Sequence, residues 1–289
     1  HGVQTVFFED GTGQVHQYEP ENAVALHQVE IVPVDREDAE QPHRKKKQES
    51  LPEIGFVHQK IQEIKDAGIE NITIDLIFGV DGFGEEVLSQ SIEQALSLGV
   101  QHISAYHLTI EPNTAFGRRL ARGVMSEVAE DQSEKEYAML HNRLTAAGFE
   151  HYEVSNYALE SYRAKHNSSY WQGVEYLGIG VGAHSFNGEV RHYSEQSIEE
   201  YVERREYVVE QLTPRDHYNE YVMTALRRKE GIDCRKVVEN FGEKALQRVK
   251  EGVAPWVESG DVVADEKCIK IPAERFMISD AVIESLFEV

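Results

Sequence analysis

The sequence predicts an α/β fold with a parallel sheet, on three observations. Residues 70–80, Glu-Asn-Ile-Thr-Ile-Asp-Leu-Ile-Phe-Gly-Val, form an apolar, β-branched run closed by Gly79, the pattern of a strand buried on both faces. Three successive helical patterns each stop on a glycine, and each is followed by a strand pattern. Helix–Gly–strand repeats of this kind imply parallel strands joined by right-handed crossovers. The length of 289 residues, 40% of them hydrophobic, is enough for one large α/β domain and a smaller one.

In chain order, residues 1–8 end in Thr-Val-Phe-Phe, a strand, and Glu-Asp-Gly-Thr-Gly makes a turn. A second strand is expected at 27–34. Residues 35–53 are dense in charge around Arg44-Lys-Lys-Lys47, which reads as a solvated loop. The first fifty residues lack a continuous apolar period, so segments are expected to be missing before residue 58, including whatever precedes His1. From there the order is plain: helix 58–67 ending at Gly68 and strand 70–80, helix 85–98 ending at Gly99 and strand 102–110, helix 133–147 ending at Gly148 and strand 151–157. Beyond 195 the pattern turns helical, with helices at 196–211, 215–229, 233–240 and 243–258. A hairpin over 262–271 and a helix at 279–287 complete a winged-helix-like module. The division is therefore 1–194 and 195–289.

Composition narrows the function. Lys+Arg 29 against Asp+Glu 51 gives a net charge of −22, which argues against nucleic acid and anionic membranes as partners. No apolar stretch is long enough to span a bilayer and no signal peptide opens the chain, so a cytoplasmic location is expected. Cys234 and Cys268 stand far apart and form neither a disulfide framework nor a cysteine metal cluster.

Asp75 breaks the apolar rule of the 70–80 run, and an unpaired carboxylate there would cost several kcal/mol, on the order of other uncompensated buried charges. Two readings stand: a structural Asp bonded to a neighbouring loop, or a carboxylate that binds a ligand hydroxyl or amine at the carboxyl end of a parallel strand. His166-Asn-Ser-Ser-Tyr170-Trp171 gathers an imidazole, an amide and two aromatics. It too has two readings, a satisfied core histidine or a ligand to a flat aromatic group. Gly178, Gly180 and Gly182 alternate as GxGxG without a following helix, which points to close backbone packing against another element or against a flat ligand rather than a dinucleotide fingerprint. His184 is read as structural, His102, His107 and His151 carry no assigned role, and Tyr106 and Tyr152 fill core or pocket wall.

Five motifs in order then carry a resemblance: Asp75-Leu-Ile-Phe-Gly79, His102-Ile-Ser-Ala-Tyr-His-Leu-Thr-Ile-Glu-Pro-Asn-Thr114, His151-Tyr-Glu-Val-Ser-Asn-Tyr157, His166-Asn-Ser-Ser-Tyr-Trp171 and Tyr176-Leu-Gly-Ile-Gly-Val-Gly-Ala-His-Ser185. From about residue 58 to the end the chain resembles the oxygen-independent coproporphyrinogen III oxidase family of radical SAM proteins, and most of all its shorter heme-chaperone branch. The resemblance implies an incomplete, TIM-like radical SAM barrel. It also implies S-adenosylmethionine and a [4Fe-4S] cluster as cofactors of the full-length protein, heme as cargo, and a heme-accepting protein as partner. Phe8-Glu-Asp-Gly11-Thr12-Gly13 looks like the family's Gly-Gly-Gly-Thr-Pro turn, and Val29-Glu30-Ile-Val-Pro33 like its Glu-Ala-Asn-Pro strand end. By that likeness Gly11, Thr12, Glu30, Asp75 and Thr109 contact S-adenosylmethionine, and His166, Tyr170 and Trp171 contact heme. The family's CxxxCxxC loop is absent, as is a strand carrying a cofactor-binding Gln. Phe56 replaces an Arg, and Gly-Leu-Pro-Gly-Gln reads Gly79-Val-Asp-Gly-Phe83. The expected function is heme delivery. The alternatives are the coproporphyrinogen dehydrogenase reaction of the family's enzymes, or a binding module without cofactor.

Overall fold

The computed structural model describes residues 6–9, 15–18 and 54–288, in two compact units, His1–Ala164 and Lys165–Val289. The sequence division at 194/195 falls inside the second unit. Gly11, Thr12, Glu30 and the strand expected at 27–34 lie outside the described residues. No helix among the described residues is long and apolar enough to cross a membrane.

In the first unit β1 (Val6–Glu9) and β2 (Val15–Tyr18) pair as an antiparallel hairpin. There follow α1 (Ile54–Asp66), β3 (Thr73–Phe78), α2 (Glu85–Ser97), β4 (His102–His107), α3 (Ala115–Ala121), α4 (Glu130–Ala146), β5 (Glu150–Glu153) and β6 (Asn156–Ala158). The three punctuating glycines, Gly68, Gly99 and Gly148, have φ of +86°, +60° and +92°, the left-handed geometry that ends a helix without a Cβ clash.

The sheet order is β3-β4-β6-β5. β3 and β4 are parallel, as the crossover pattern predicts. The strand expected at 151–157 is instead two short strands forming an antiparallel hairpin, and its second arm, β6, slots between β4 and β5. The direction of β5 is still that of β4, because two antiparallel pairings in succession restore it. A turn at Val154-Ser155 makes the difference, and it is too short to register in a seven-residue apolar window.

A second correction concerns β3, which the sequence reads as buried on both faces. Its burial alternates: Leu76 and Phe78 are buried, Asp75 and Ile77 half-buried, and Thr73 exposed. Phe78 and Tyr157 face α4, where Phe78 meets Tyr137 at 6.4 Å, Tyr137 meets His151 at 5.9 Å, and His151 stacks on Tyr157 at 3.9 Å. Ile92 of α2 and Leu140 and Leu144 of α4 close this core. Asp75 faces the other way, so its carboxylate never enters the apolar layer.

The second unit contains α5 (Lys165–Trp171) and a sheet of order β7-β8-β9, built from His184–Phe186, Val190–Tyr193 and Val208–Gln211. The helix expected over 196–211 is only α6 (Ile198–Glu203), opened by a capping box between Ser197 and Glu200. Arg204 turns extended, and Val208-Val209 pair with Tyr193 and His192 of β8. A β-branched pair beside an unpaired strand edge overrides a weak helical period. Then come α7 (Pro214–Leu226), β10 (Ile232–Asp233), α8 (Cys234–Phe241), α9 (Glu243–Glu258), β11 (Val263–Ala264), β12 (Cys268–Lys270), a 3₁₀ turn over Ala273–Ile278 and α10 (Ser279–Glu284). The three short strands form a sheet in the order β10-β12-β11. Val222, Leu226, Ile232, Val249, Ile269 and Phe276 are fully buried among these elements.

Candidate functional site

Two groups of residues carry chemistry, one in each unit. In the first, Asp75 lies in the middle of β3, directly opposite Ser104 of β4. The Ser104 hydroxyl donates to the Asp75 carboxylate, which holds the proton affinity of Asp75 down. Burial works against it and prevails, leaving the carboxyl above its ordinary range. Tyr106, two residues on and on the same face, also shares a hydrogen bond with Ser104. Burial, with Asp75 and Glu153 nearby, raises its phenol. His102 completes this face of β4. Its Nδ1 lies 2.7 Å from Thr73 Oγ1 and its Nε2 2.9 Å from the Tyr152 hydroxyl, and burial lowers its pKa to about 4.

The loop at the carboxyl end of β3 is held by Glu136, which is 2% exposed. Its Oε2 accepts from Gly79 N–H at 2.8 Å, and its Oε1 from Gln132 Nε2 at 2.7 Å. Gln132 also donates to the Phe83 carbonyl at 2.7 Å, while Asp81 accepts from Ser126 N–H at 2.8 Å. Gly79 itself has φ +73°, and a Cβ there would run into the His107 ring. Thr109 sits just beyond β4 and is exposed, where Leu108 N–H has already bonded the Phe78 carbonyl at 2.8 Å.

In the second unit the His166 ring meets Tyr170 edge-on at 4.9 Å, one helical turn along α5. Tyr170 meets Tyr176 edge-on at 4.9 Å, and Tyr176 lies 6.0 Å from Phe186. Tyr176 is fixed to Phe186 by a two-bond bridge, N–H to carbonyl at 2.9 and 2.8 Å. Arg191 closes the series 5.8 Å from the Phe186 ring, tied to Glu220 at 2.8 Å. His166 and Trp171 are half-buried and Tyr170 is 45% exposed, so this is a wall of rings at the surface and not a core histidine in a packed interior. Leu177 and Ile179, 77% and 83% exposed, alternate with the glycines that follow. Gly178 has no room for a Cβ, which would strike the His184 carbonyl, as the close-packing reading of GxGxG expects. His184 stacks on Tyr193 at 4.7 Å, a structural contact.

The residues present do not fit a [4Fe-4S] cluster. Cys234 is buried, Cys268 donates its thiol to the Glu230 carbonyl at 2.9 Å, and no group of three metal-ligating side chains occurs among the described residues. The unit around Asp75 does fit a ligand rich in hydrogen-bond donors, through the carboxylate and the buried polar atoms beside it.

Ser104, Glu153 and Asn156 lie within motifs that the sequence singles out but carry no role there, and Glu136 lies in none of them. Glu136 was visible as a carboxylate in phase with Ser133, Tyr137, Leu140 and Leu144 on the buried face of α4. Glu153 and Asn156 interrupt a strand pattern just as Asp75 does.

No protein-family model matches the chain. It is 33% identical over 244 residues to the heme chaperone HemW of Lactococcus lactis, across 81% of this chain and 64% of that protein. To the heme chaperone HemW of Bacillus subtilis it is 30% identical over 221 residues, across 72% and 56%. The chain thus spans between about half and two thirds of the length of these curated relatives. Among solved structures it is similar to coproporphyrinogen III oxidase (HemN) from Escherichia coli, described as a radical SAM enzyme. The TM-score is 0.66 at 17% identity, over 81% of this chain and 58% of that one, a likeness of fold.

Proposed function

The chain is similar to HemW heme chaperones over about half to two thirds of their length, and on that premise we propose that it is part of a radical SAM protein of this kind, which as a whole binds heme and S-adenosylmethionine and delivers the heme to an acceptor protein. The observation that carries the heme half is the ring series from His166 through Tyr170 and Tyr176 to Phe186, beside the exposed Leu177 and Ile179. A porphyrin offers two flat apolar faces and an iron, and such a surface offers aromatic edges, apolar side chains and an imidazole. Trp171, at the end of α5, belongs to the same contact set.

S-adenosylmethionine belongs to the first unit, where Asp75 accepts from its ribose hydroxyls and Thr109 packs on its adenine. Gly11, Thr12 and Glu30 complete the set by family likeness. A [4Fe-4S] cluster in the whole protein requires cysteines from outside this sequence, which holds only Cys234 and Cys268. The sheet β3-β4-β6-β5 with its helices is read as part of an incomplete radical SAM barrel, and α7 to β12 as a winged-helix-like module, within a functional division near residue 195. The acidic charge fits a cytoplasmic protein without nucleic-acid partners.

The test is a heme titration of the full-length protein. Stable heme binding is expected, without turnover of coproporphyrinogen, and His166→Ala should shift the Soret band or weaken affinity. Sustained carbon dioxide release from coproporphyrinogen would establish the enzyme instead, and failure to bind either heme or S-adenosylmethionine would leave a module without cofactor.

A further inference from the structure

Four polar side chains stand in one line across the sheet of the first unit. Register sets Asp75 opposite Ser104, Ser104 opposite Asn156, and Asn156 opposite Glu153. Directly opposed residues share a face of the sheet, so the line crosses β3, β4, β6 and β5 on the face away from α4. Glu153 reaches it through a bulge: the ladder shifts between His151 and Glu153, and Tyr152 is the extra residue. Bulges re-aim side chains in this way beside functional sites.

The line is buried and acidic. Ser104 is 5% exposed, Asn156 4% and Glu153 1%. Asp75 takes its hydrogen bond from Ser104. The side-chain oxygen of Asn156 is different, since it is buried and accepts no hydrogen bond from any described residue. Folding discards a buried acceptor without a donor unless something else supplies one, and at a binding site that donor is the ligand. The charge narrows the ligand further. Asp75 and Glu153 are both felt at the Tyr106 hydroxyl, so the line repels carboxylates and phosphates and favours a donor-rich or cationic group. Heme, with its two propionates, is the wrong partner for this face.

We propose that Asn156 and Glu153 bind S-adenosylmethionine alongside Asp75, with Asn156 Oδ1 accepting a hydrogen bond from one of its hydroxyl or ammonium groups and Glu153 facing its positive charge. This rests on the reading of the first unit as the S-adenosylmethionine site. That ligand carries a sulfonium, an ammonium and a ribose diol, which supply a donor for Asn156 Oδ1 and a positive charge to face the acidic line. The bulge keeps Glu153 at the end of the line, where its carboxylate acts on the ligand through the field of a water-poor face.

Calorimetric titration of the full-length, cluster-reconstituted protein tests it, with thermal unfolding of each apo variant beside it. Asn156→Leu should weaken S-adenosylmethionine by roughly three- to tenfold, the effect of one hydrogen bond, while the apo melting temperature holds or rises because an unmet acceptor has been removed. Glu153→Gln should weaken S-adenosylmethionine more than S-adenosylhomocysteine, which lacks the sulfonium charge. Asp75→Ala separates the two levels. If Asp75→Ala weakens binding while Asn156→Leu and Glu153→Gln bind as wild type, the present inference is overturned and the site reading stands. If all three bind as wild type, the site reading falls and takes the inference with it. A lower melting temperature in Asn156→Leu with an unchanged dissociation constant would assign Asn156 a purely structural role and overturn the inference as well.

Discussion

Acidification should destabilise the first unit through two buried imidazoles. His102 and His151 are 5% and 4% exposed, and burial lowers them from the ordinary 6.5 to about 4 and about 3. His151 is pushed further by His141, whose Nδ1 lies 3.0 Å from its own, a contact that needs one of the two nitrogens bare. The unfolded chain therefore binds these protons below pH 6.5 and the folded chain does not. Stability is full above 6.5 and falls as pH drops towards the folded values. At pH 5.5, one unit below the unfolded value, each histidine removes about 1.4 kcal/mol, and the figure holds for any folded value well below 5.5. The two together remove about 2.8 kcal/mol, a sizeable share of the 5–15 kcal/mol of a typical domain. Urea unfolding at pH 7.5 and 5.5 measures the loss. His102→Gln and His151→Gln provide the control, because the charge of −22 makes the rest of the chain respond to pH as well. Wild type should lose about 1.4 kcal/mol more than each single variant between the two pH values. An equal loss in wild type and variants, or a histidine ring that titrates near 6.5 in the folded protein by NMR, would refute the reasoning.

Other substitutions test other joints of the structure. Asp75→Ala should raise the dissociation constant of S-adenosylmethionine at least tenfold by calorimetry, since hydrogen bonds to a carboxylate are worth roughly 1.5–3 kcal/mol each. Glu136→Ala strands the Gly79 N–H in a buried loop and should cost about 2–3 kcal/mol in urea unfolding, with weaker S-adenosylmethionine binding because the loop after β3 loses its anchor. Gly178→Ala drives a methyl into the His184 carbonyl, and should cost more than about 1 kcal/mol and alter the near-ultraviolet dichroism of the Tyr170–Tyr176–Phe186 series. Unchanged stability and dichroism in that variant would show that the backbone there can yield.

Much of the order was legible in the chain itself. The glycines at 68, 99 and 148 announce helix ends because left-handed backbone is a local property, written in one residue. The apolar run around Asp75 and the helices at 85–97 and 243–258 follow from period alone. His166 and Tyr170 were legible as members of one short motif, but only the structure winds that motif into α5 and so brings the two rings within 4.9 Å, one helical turn apart. Pairing across strands is not local, and there only the tertiary structure decided. Nothing in Glu153-Val-Ser-Asn156 says that the chain reverses and inserts β6 beside β4. Without that insertion Asn156 would not stand opposite Ser104, nor would the bulge aim Glu153 into the same line. The sequence determined which polar residues interrupt the strands; the register, set by hydrogen bonds between separate segments of the chain, determined that they share one face.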